Sequence, residues 1–88
     1  MTNYVFSKHA LEKIEERGIP MHVVLAIMNN LENVIVEEEM VVHQAIVNFE
    51  GEGEYLVRVF VNTIKQPPLV ITVYRTSKLE KYHESKIR

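Results

Sequence analysis

The chain has 88 residues, 47% of them hydrophobic, no cysteine and a net charge of −2. That fits one small α+β domain over residues 1–88 and rules out disulfides, thiolate nucleophiles and cysteine-ligated zinc. All twelve acidic residues are glutamate, so neither an Asp-containing catalytic triad nor an Asp-rich calcium loop is available.

The charge is uneven: residues 1–54 carry three basic groups against ten glutamates (−7), and residues 55–88 carry seven against two (+5). Such asymmetry marks either a face for nucleic acid or an acidic partner, or charge spread over a solvated surface. The first eight residues hold no apolar stretch of signal-peptide length. The longest apolar run, residues 23–28, is far short of the roughly 20 a membrane span needs. The expected location is the cytoplasm, with no membrane contact.

The first helix is expected to start at Ser7, a good N-cap, and to end at Arg17, where Gly18 supplies a left-handed stop. Ala10, Leu11 and Ile14 share one face, and Glu12, Glu15 and Glu16 another. His9, Lys13 and Arg17 form a cationic line along the border of the apolar stripe. Pro20 suits the first position of a second helix, in which Val24, Ile27, Met28 and Leu31 follow helical spacing until Asn29-Asn30 can end it.

Beyond residue 33 the period becomes extended. Residues 33–38, 41–49, 55–61 and 69–75 read as four strands, with a glutamate-glycine hairpin loop between the second and third. The connections are too short for helical crossovers, so the sheet is expected to be antiparallel. Ser77 and Glu80 form a capping-box pattern for a short C-terminal helix. The expected fold is therefore α+β: two N-terminal helices on a four-stranded antiparallel sheet, then a short helix.

Alternation in the third strand puts Tyr55, Val57, Val59 and Val61 on one side and Leu56, Arg58 and Phe60 on the other. In the fourth, Leu69, Ile71 and Val73 oppose Val70, Thr72 and Tyr74. The helices should cover the aliphatic side, leaving Arg58, Phe60, Thr72 and Tyr74 on a face that is open or covered by a partner or the C-terminal segment. His43 could lie on either side. An arginine among aromatics can stack bases and pair with phosphate, or snorkel over an apolar surface in a dimer. His9 is the candidate for proton transfer. The corner from Tyr74 to Lys78, with two cations around two hydroxyls, favours an anion. The histidines show no metal-binding spacing, and neither metal nor cofactor is expected.

Phe6-Ser7-Lys8-His9-Ala10, Glu16-Arg17-Gly18-Ile19, and the run from Val70 to Lys78 followed by Lys81-Tyr82 resemble domain-of-unknown-function family 4258. That family is similar in turn to the RelE, ParE and BrnT group of bacterial toxins. The likeness spans residues 6–82. It implies a RelE-like layout and highlights His9, Arg17, Tyr74, Arg75, Thr76, Ser77, Lys78 and Tyr82. Lys13 stands where an arginine is common, losing bidentate phosphate geometry, and His83 stands where an aromatic is often found. One function implied is a metal-independent ribonuclease toxin held by an antitoxin. In it His9 is acid or base, Arg17, Arg58 and Arg75 clamp phosphate with Lys13 and Lys78 nearby, and Tyr74 or Tyr82 stacks or relays protons. The other is a non-catalytic module that uses the open sheet face for a protein partner or a homodimer.

Overall fold

The computed structural model describes residues 4–30 and 33–81. The chain begins with β1 (Val5–Phe6) and α1 (Lys8–Glu16), continues through α2 (Met21–Met28) and β2 (Val34–Glu37), and ends with β3 (Met40–Phe49), β4 (Gly53–Asn62) and β5 (Leu69–Thr76). The strands form one sheet in the order β1-β5-β4-β3-β2.

The sheet is five-stranded and mixed, not four-stranded and antiparallel. β2 to β5 pair antiparallel as their short connections demand, but β1 runs parallel to β5, Val5 beside Leu69 and Phe6 beside Val70. Two residues ahead of a helix carry no readable period, so the fifth strand escapes the sequence pattern. The expected C-terminal helix is also corrected: no such element follows β5, and among the described residues after it only the last two, Glu80 and Lys81, are helical. At that corner Thr76 Oγ1, rather than a Ser77–Glu80 box, accepts the Lys78 backbone N–H at 3.1 Å. Tyr82 lies outside the described residues.

Both helix boundaries follow from local chemistry. Ser7 accepts the Ala10 N–H on its hydroxyl, and Arg17 caps the other end before Gly18 turns at φ +64°. A side chain would be strained in that left-handed conformation. Pro20 is the N-cap of α2 at φ −61°, ψ 140°, one position earlier than expected.

Ala10, Ile14, Ile19, Val24, Ile27 and Met28 pack on Val57, Val59, Val61, Val70 and Val73 to form the core. Val70 faces inward because β5 carries a bulge. Phe60 opposes Thr72 while Val61 opposes Val70, which leaves Ile71 as the extra residue. Strict alternation had placed Leu69 and Ile71 on the helix side. Ser7 sits at this irregularity: its backbone N–H donates to the Val70 carbonyl at 3.0 Å and its hydroxyl to the Ile71 carbonyl at 3.2 Å. One residue thus caps α1 and pins the bulge.

Candidate functional site

On the sheet face away from the helices, Gln44, Arg58 and Tyr74 stand side by side on β3, β4 and β5. The Arg58 guanidinium donates from Nε to Gln44 Oε1 at 3.0 Å, from Nη1 to the Tyr74 hydroxyl at 3.1 Å and from Nη2 to the Lys81 carbonyl at 2.7 Å. Gln44 is 1% exposed and Leu56 fully buried. Phe60 lies beside Tyr74, ring centroids 5.7 Å apart. This face is therefore not open. The segment leaving β5 returns across it, and Arg58 ties that segment down through a backbone carbonyl.

Arg75 lies on the opposite face, in register with Val57. Its guanidinium carbon sits 4.4 Å from the Phe49 ring centroid and 4.7 Å from that of Tyr55. The two rings meet edge-on at 5.6 Å. Nη2 pairs with Glu52 at 2.8 Å, whereas Nη1 is buried with no hydrogen-bond partner. Stacking on two rings suits the weakly hydrated guanidinium.

Arg17 reaches the edge of β5 from the end of α1 and donates to the Val73 carbonyl at 2.7 Å. Lys13 pairs with Glu16 at 3.2 Å. His9 is exposed on α1, about 12 Å along the helix axis from Arg17 at 1.5 Å per residue. Along the expected His9–Lys13–Arg17 line the burial is uneven, His9 being exposed and Lys13 and Arg17 half-buried. Lys78 is exposed at the corner after β5.

The expected site residues thus do not share one surface. Arg58 and Tyr74 belong to the far face, Arg75 to the helix side, Arg17 to the sheet edge, and His9 and Lys13 to the outside of α1. Two partners escaped the sequence reading. Gln44 is an amide in the middle of a mostly apolar strand, which was a signal. Glu52 lay in a loop read only as a turn, and nothing local points to its pairing 23 residues on.

His43 resolves to the helix side, in register with Val34 and Val59. It is 4% exposed, its Nδ1 has no partner, and burial pushes its imidazole below the usual value of 6.5. Among the described residues no three histidine or glutamate side chains are placed to hold a metal ion, and no helix is long and apolar enough to cross a membrane. Compared with known protein families, curated proteins and solved structures, the chain matches none.

Proposed function

We propose that this chain is a non-catalytic protein-interaction module. The observation that carries the proposal is the division of its arginines. Metal-free RNA cleavage needs an acid, a base and cations gathered around one phosphate. Here the sheet stands between the Arg58–Tyr74 pair and the α1 cations, and each arginine among the described residues is engaged in holding the fold. Arg58 binds the returning segment, Arg75 stacks on two rings and pairs with Glu52, and Arg17 caps a strand carbonyl. Among the charged residues at the surface of the helix layer, three apolar side chains stand out: Leu11, Met21 and Leu25 are each about two-fifths exposed or more.

The test is incubation of the pure protein with messenger RNA, with and without chelator, alongside growth of cells expressing it. The expected result is intact RNA and normal growth, unchanged in His9→Ala and Arg75→Ala. RNA breakdown that disappears in folded His9→Ala would return the chain to the ribonuclease reading.

A further inference from the structure

The helix layer carries a shallow groove of about 370 Å³, lined by Leu11, Glu12, Ile14, Glu15 and Met21. Leu25 lies one turn beyond Met21 on the same side of α2. Leu11 is 46% exposed, Met21 38% and Leu25 44%, so both helices present outward apolar side chains, and Leu11 and Met21 meet at the groove. Exposed apolar side chains gathered in this way mark a contact surface more often than singly scattered ones do. Neither Glu12 nor Glu15 is ion-paired among the described residues, and both are exposed. Lys8 lies one turn away, toward the start of α1, and His22 follows Met21.

We propose that this groove receives an amphipathic helix of a different protein, apolar on its inserted side and flanked by lysine or arginine. The inference rests on the interaction-module reading and names the partner for it. A groove between two helices takes the ridge of a third, with anchors spaced i, i+3, i+4 and i+7. The glutamate rim selects basic flanks by complementarity. It disfavours a second copy docked through the same groove, because a two-fold contact would bring the same glutamate-rimmed patch against itself. It disfavours an anionic membrane or RNA for the same reason.

A synthetic helix with leucine anchors and lysine flanks, titrated into isotope-labelled protein and followed by NMR, tests the proposal. The expected outcome is saturable shift changes at Leu11, Glu12, Glu15, Met21 and Leu25. Affinity should fall at least about tenfold in Leu11→Ser and in the double variant Glu12→Lys/Glu15→Lys, a loss of about 1.4 kcal/mol or more. Added salt should weaken binding. These positions are exposed, so the variants should keep the wild-type circular dichroism spectrum and melting temperature. Equal binding of a glutamate-flanked helix, or shift changes elsewhere, overturns the proposal. So does concentration-dependent self-association abolished by Leu11→Ser, which would give the groove to a second copy. Intact RNA together with a failed titration sinks the groove and leaves the module reading standing, whereas RNA cleavage sinks that reading itself.

Discussion

His43 is the residue whose environment departs furthest from its chemistry. It is buried among valines with Nδ1 unpartnered, and burial lowers its affinity for a proton. The sign of the consequence follows from linkage. Below about pH 6.5 the unfolded chain takes up a proton that the folded chain resists, so the unfolded state binds more protons and stability falls. The contribution is fully present above the unfolded value and is lost as pH drops from 6.5 toward the lower folded value. Chemical denaturation of the wild type should therefore give a lower midpoint at pH 5.5 than at pH 7.5, while His43→Leu should be nearly flat over that window. An unchanged wild-type midpoint would show that the imidazole finds a partner in solution. The arginines make a different point at the same scale. Each cation read as a phosphate clamp is also one that can satisfy a carbonyl, an amide or an aromatic face, and residue type alone does not choose between these uses.

At the level of elements, α1 is both the most legible piece of the chain and the one with an unforeseen task. Its start at Ser7 and its stop at Gly18 were evident because capping acts within three or four residues of the chain. The link from Ser7 to the Ile71 carbonyl, 64 residues away, was not. Ser7→Ala removes an N-cap acceptor and a second hydrogen bond at the bulge. It should cost about 1–2 kcal/mol, lowering the melting temperature by roughly 4–8 °C per kcal/mol for a domain this size. Thermal melts by circular dichroism would measure the loss, and Ser7→Asp, which keeps a cap acceptor but cannot donate to Ile71, should recover only part of it. A loss below a few tenths of a kcal/mol would mean that water replaces both bonds.

For the whole molecule, β4 is the centre. It is flanked by β5 and β3 along its length, and Leu56, Val57, Val59 and Val61 are all completely buried. Opening it requires separating both neighbours, the helix layer and the segment tied to Arg58. Native-state hydrogen exchange should find the slowest amides in β4 and much faster ones in β1 and β2, which lie at the sheet edges. Exchange in β2 as slow as in β4 would show that the sheet opens as one unit. The Arg58 tether belongs to this scale too, since it joins three strands and the returning segment into one polar cluster.

The sequence by itself determined the two helices with their ends, the four long strands to within two residues, and the alternation that sends Arg58, Phe60 and Tyr74 to the side away from α1 and α2. These are products of local backbone preference, capping and side-chain period, which act over a few residues. Only the tertiary structure decided the parallel β1, the bulge that turns Val70 inward, the side taken by His43, the covering of the far face and the partners of Arg17, Arg58 and Arg75. Those choices join residues 14 to 64 positions apart. They are made by packing and by the need to satisfy each buried polar group, conditions that exist only once the sheet has closed on the helices.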